Sequence, residues 1–122
     1  MNALRVSGIH AWYDKNANNT HHDVGTKKFN VWGIEPYGNV YDVCLDWQEA
    51  SDSELVQSKI VKDYAGAVTG TDRMARGGDI WCDIRSASSV HRYYTAPDHN
   101  GGGIGFRLVR MAKSRILWPI PR

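Results

Sequence analysis

The sequence predicts an α+β domain of short antiparallel strands, much irregular but ordered loop and one or two helices. Three observations carry this. The apolar stretches are brief and broken by Gly or Pro, as at Gly33, Pro36 and Gly38. Twelve glycines, with abundant Ser, Asn and Asp, outweigh the helix formers. A single clear helix start, Ser51-Asp52-Ser53-Glu54, precedes an apolar spacing of Leu55, Val56, Ile60, Val61 and Tyr64.

In chain order, Leu4, Val6, Ile9 and Trp12 read as a strand running into a turn at Tyr13. Asp14 to Thr26 is polar and reads as a solvated loop, its adjacent His21 and His22 lacking the spacing of a metal pair. A turn at Gly38 leads into a strand over Val40 to Cys44, and the helix expected over 51–64 follows. Ala65 to Gly70 is a break of small residues. Ile104, Phe106 and Leu108 alternate as a closing strand that runs to Met111, and the tail Ile116 to Arg122 carries two prolines. Gly38-Asn39, Gly77-Gly78 and Gly105 are read as turns or close backbone approaches, and Trp32, Trp47 and Phe106 as core.

Composition narrows the function. With 122 residues, 42% of them hydrophobic and 23% charged, the chain is one domain able to bury a core. Fifteen basic against thirteen acidic side chains give a net charge of +2 without a basic patch, which argues against nucleic acid as a partner. No apolar run approaches the ~20 residues of a membrane span, and the N-terminus lacks a signal-peptide core, so no membrane insertion is expected. Cys44 and Cys82 allow at most one disulfide and no Cys-rich zinc site. Five Trp and six Tyr form a heavy load of residues suited to cores and binding faces alike.

Three motifs stand in order along the chain. Asn30-Val31-Trp32-Gly33-Ile34 is followed by Gly38-Asn39-Val40-Tyr41-Asp42 and Asp46-Trp47; next comes Arg73-Met74-Ala75-Arg76-Gly77-Gly78; last is Ile104-Gly105-Phe106-Arg107-Leu108-Val109-Arg110, preceded by Pro97. Together they resemble the C-terminal half of the formylglycine-generating-enzyme (sulfatase-modifying factor) family, over residues 27–110, with the family's N-terminal half missing. The resemblance implies a C-type-lectin-like fold occupying the whole chain, 1–122. It also implies a calcium site at Glu35, the carbonyls of Gly38 and Val40, and Asp42, all hard oxygen donors. No other cofactor is required. The family's copper-dependent oxidase uses two cysteines after the Gly-Gly pair. Here Cys82 occupies the first position and Ala87 the second, and a lone soft ligand does not hold copper(I), so catalysis is not expected.

The same lectin-like domain carries the variable segment of proteins diversified by retroelements. Adenine-directed copying of asparagine codons there excludes Lys, Gln, Glu, Met and Trp. These five types fill 15 positions in residues 1–78 but only one, Trp81, in residues 79–102, which lie between the Arg-Gly-Gly and Gly-Phe-Arg motifs. The resemblance therefore implies a diversified binding segment over 79–102. Its expected ligand contacts are Ile80, Trp81, Asp83, Ser88, Val90, His91, Tyr93, Tyr94, Asp98, His99 and Asn100, a paratope-like mixture of rigid aromatics and adaptable polar groups. Arg92 and Pro97 match framework positions, and Arg85 and Ala87 are candidates for the same role. The expected partner is a protein or glycan on a host or neighbouring cell, with the chain displayed on a virion or cell surface. A partial formylglycine-type oxidase is the alternative, and a structural, self-associating homo-oligomer is the third class.

Overall fold

A computed structural model of the chain describes residues 8–48 and 67–109. The helix expected over 51–64, the strand residues Leu4 and Val6, and the end of the chain from Arg110 onward lie outside the described residues.

Six short strands form two sheets: β1 (Ala11–Trp12), β2 (Tyr37–Gly38), β3 (Tyr41–Trp47), β4 (Arg73–Arg76), β5 (Tyr93–Thr95) and β6 (Ile104–Gly105). Strands β1 and β2 make a parallel pair, and the other four lie in the order β5-β4-β3-β6. The pairs β3–β4 and β4–β5 are antiparallel, whereas β6 joins β3 in parallel through Tyr41↔Ile104 and Asp42↔Gly105. This is the C-type-lectin-like arrangement of short strands and long ordered loops, and no helix occurs among the described residues.

Strand β4 is the most buried of the four. With a neighbour on each edge, Met74 and Ala75 are both buried. Strand β3 runs beyond the expected Val40 to Cys44 because a bulge between Val43 and Trp47 lets it keep contact with β4 to Arg73. The Arg73 guanidinium holds this irregularity, donating to the Leu45 carbonyl and lying 3.4 Å over the Trp47 ring.

Gly38 shows why two of the motifs need glycine. It sits at φ +72°, and a Cβ there would overlap the Trp12 backbone carbonyl, where β1 pairs with β2. Its N–H donates to the Gly77 carbonyl at 2.7 Å, and Gly77, at φ +95°, would place a Cβ 2.8 Å from the Pro36 oxygen.

The described core is built mostly from small residues: Ala11, Ala17, Ala75 and Ala87 join Tyr41, Met74 and Ile80. Two residues expected there are on the surface. Trp32 is 80% exposed because it rides the tip of a tight turn, where the Asn30 side chain accepts the N–H groups of Trp32 and Ile34. Phe106 is 76% exposed because pairing of the closing strand stops at Gly105, so no ladder presses its ring onto β3. Trp47 is half-buried beneath Arg73. Ile80, expected at the binding face, is instead the largest fully buried side chain among the described residues, 1% exposed.

Denaturant unfolding checks this redistribution. Ile80→Ala should cost about 2–5 kcal/mol, the loss of a fully buried branched side chain. Phe106→Ala should stay within about 0.5 kcal/mol, as exposed positions do.

Candidate functional site

The site begins with Asn39. At φ +67°, which Asn tolerates better than most residues, its side chain forms a reciprocal pair with the backbone of His22. Oδ1 accepts the His22 N–H at 2.9 Å, and Nδ2 donates to the His22 carbonyl at 2.8 Å. Its own N–H donates to the Trp12 carbonyl, and its carbonyl accepts the Ile80 N–H. One residue thereby ties together the 14–26 loop, β1 and the start of the 79–102 segment.

The 14–26 loop is mostly exposed to solvent, as expected, and is pinned at a few residues. His22 stacks on Trp12 with ring centroids 3.6 Å apart, and the Lys27 ammonium lies 3.6 Å from the same ring. Burial holds the Lys27 amine below its ordinary value. Farther along, Asn19 accepts the indole N–H of Trp81, and His21 meets that indole edge-on at 5.5 Å. The loop thus fixes an aromatic of the candidate binding segment.

Within that segment, local hydrogen bonds set the backbone. Asp79 Oδ1 accepts the Trp81 N–H at 3.0 Å, and the Asp79 carbonyl accepts the Cys82 N–H. Asp83 Oδ1 accepts the Arg85 N–H at 2.8 Å and pairs with the Arg85 side chain, so both residues serve their own turn. Arg76 donates to the His91 carbonyl, leading the chain into the edge strand β5. There Tyr93 stacks on Tyr41, centroids 4.6 Å apart, and Tyr94 lies nearly parallel to Tyr93.

Tyr41, buried on β3, shares a 2.9 Å hydrogen bond with the Cys82 thiol. Burial pushes both groups up, with the Asp79 charge adding to each, so both are neutral at pH 7. The rings of Tyr41, Trp81 and Tyr93, with Asp79, His99 and the run Gly101 to Gly103, line a cleft of about 400 Å³.

Of the residues expected from sequence, Trp81, Tyr93 and His99 meet in this cleft. Tyr94 is exposed beside it on β5, and Asp83, Val90, Asp98 and Asn100 are exposed elsewhere on the segment. Ser88 and His91 are half-buried, the Ser88 hydroxyl accepting the His91 N–H. Ile80 is a correction: it points inward and anchors the segment. Tyr41, Asp79, Asn19 and His21 were not expected at the site. Only the fold brings them there, although Tyr41 lies within one motif that the sequence displays and Asp79 directly follows another.

A family model for the sulfatase-modifying factor enzyme 1-like domain matches residues 2–112, wider than the motif-bearing stretch. The chain belongs to that family. Among solved structures, it is similar to Treponema denticola variable protein 1, with 28% identity and a TM-score of 0.71. The match covers 80% of this chain and 34% of that one, so the chain spans about a third of its relative's length. No curated protein matches.

Two metals that the sulfatase-modifying factor family implies can be tested against these residues. For copper, the second thiol position is Ala87, which is fully buried, and Cys82 is a neutral thiol bonded to Tyr41. For calcium, Glu35, Gly38, Val40 and Asp42 do line one cleft, but so does Arg107. Its guanidinium contacts Asp42 Oδ2 at 2.5 Å and donates to the Glu35 carbonyl. Both Glu35 carboxylate oxygens accept backbone N–H groups, from Gly25 and Lys27. A divalent cation would face a guanidinium there, and among the described residues no cluster of three or more His, Cys, Asp or Glu forms a metal site. Neither donor set fits its metal.

Two measurements follow. Chelator should leave the melting temperature unchanged, with or without prior calcium; a chelator-dependent fall would show that the Arg107 arrangement gives way to the ion. Because the folded state raises Cys82 above its ordinary 9.0 and Tyr41 above its ordinary 10.0, their contribution to stability is full below those values. It is lost as pH rises through the folded-state values. Thermal unfolding should therefore be flat from about pH 6 to 8 and decline in alkali, with a smaller decline in Tyr41→Phe.

Proposed function

We propose that this domain is a ligand-binding protein whose 79–102 segment is a diversified recognition face on a lectin-like scaffold, acting in attachment rather than catalysis. The observation that carries this reading is the division of labour within the segment. Ile80, Ala87 and Thr95 are buried and hold it to the framework. Between them Trp81, Tyr93 and Tyr94 stand 51%, 44% and 52% exposed. Large aromatics held rigidly at the surface give contact area at low entropic cost, as in antibody paratopes. The depletion of Lys, Gln, Glu, Met and Trp falls on this same segment. Similarity to a variable protein of Treponema denticola supports the same assignment.

The ligand in this reading is a protein or glycan on another cell, met by a domain carried on a virion or cell surface. The oxidase alternative has Cys82 in its favour but lacks a second thiol at Ala87.

A paired alanine scan tests the proposal, using unfolding and capture from arrays of glycans and protein ectodomains. Tyr94→Ala should change stability by no more than about 0.5 kcal/mol yet weaken a captured ligand by about 2 kcal/mol or more. Unfolding comparable to that of Ile80→Ala would make Tyr94 a core residue and end the display reading.

A further inference from the structure

We infer that the cleft between Trp81 and Tyr93 takes a cationic side chain, an arginine guanidinium of a protein ligand. This rests on the recognition-face reading and names the chemistry of its central contact. Aromatic rings and one carboxylate make the cleft. Tyr41 forms its floor, Trp81 and Tyr93 present exposed rings, Cys82 and His99 complete the lining, and Asp79 supplies a formal negative charge, while among the described residues no Lys or Arg lines it. Ring faces attract cations, and a planar guanidinium stacks on them while its fork meets a carboxylate.

Both partners are held in place beforehand. Asp79 Oδ1 is bound by the Trp81 N–H, and the Trp81 indole is fixed by Asn19 and His21. The other carboxylate oxygen, Oδ2, faces Gly103. A Cβ at that glycine would stand 2.5 Å from Oδ2 and 3.2 Å from the Trp81 ring. Glycine at 103 therefore lets carboxylate and indole pack closely on the backbone, side by side at the cleft; a Cβ would displace both. The Asp79 charge also helps to push up both Tyr41 and Cys82, as expected of a cleft with a negative field. A neutral sugar would use the rings but not the charge, so charge separates the two ligand classes.

The probes are acetyl-arginine amide, its neutral isostere acetyl-citrulline amide, and methyl mannoside. Binding is followed by the Trp81 indole N–H resonance, assigned through Trp81→Phe. The arginine amide should bind saturably, with an affinity that falls as salt rises, and about tenfold more tightly than the citrulline amide. Asp79→Asn keeps an acceptor for the Trp81 N–H, so it should fold normally and lose about the same factor. Gly103→Ala should weaken the probe by displacing the carboxylate and the indole while leaving the charge in the chain. Equal binding of arginine and citrulline amides, unchanged binding in Asp79→Asn, or a preference for the mannoside would each overturn the inference. If Tyr94→Ala still abolishes capture of a protein ligand while Asp79→Asn leaves arginine binding intact, the recognition face stands and the cation cleft falls. If instead the probe binds as expected but no segment variant affects any captured ligand, the cleft stands and the wider face falls.

Discussion

The reciprocal hydrogen bonds between Asn39 and His22 are the constraint on which the remainder of the site depends. A short amide offers an acceptor and a donor on one arm, so it can close both ends of a foreign backbone segment. Asp would lose the donor and Ala both groups, leaving the His22 backbone unpaired. Because Asn39 also bonds to Trp12 and Ile80 through its own backbone, the same residue sets the distance between β1 and the binding segment. The positive φ that allows this geometry follows directly on Gly38, where a Cβ would overlap the Trp12 backbone.

From that node the domain is stitched largely by arginines of its sequence motifs. Arg73 closes the bulge of β3, Arg76 draws the His91 carbonyl toward β4, and Arg107 clips the end of β6 to Asp42 and Glu35. These contacts suit a fold whose strands are two to seven residues long. Strands so short bury little apolar surface by alternation alone, and the described core is mostly small side chains. Arg107 also bears on the calcium site that the resemblance implies. A fixed positive charge already sits against the carboxylate that the ion would need.

This construction suits the variable binding segment we propose. Its anchors are Ile80, Ala87 and Thr95, together with main-chain bonds that do not depend on side-chain identity. The positions between them stand on turns or on the edge strand β5, where a change of side chain disturbs no ladder. Trp81 is the exception, since its indole is gripped by the 14–26 loop. That grip makes it a fixed wall of the cleft and accords with its being the only one of the five depleted residue types in the segment.

The sequence by itself determined the family, the glycine turns and the strands on which the Arg-Gly-Gly and Gly-Phe-Arg motifs lie. These are local properties, or ordered motifs whose residues are required by close backbone approaches. Tertiary structure alone decided which apolar residues are inside. Trp32 and Phe106 have core chemistry but lie at a loop tip and past the end of a strand, whereas Ile80 lies within a polar segment yet is buried. It also decided that a loop of Asn and His, unremarkable as sequence, would brace Trp81, and that Tyr41 would lie beneath Tyr93. Those contacts join residues far apart in the chain, so local pattern carries no trace of them; only the register of β3 on β4, and of β4 on β5, brings Tyr41 and Tyr93 face to face.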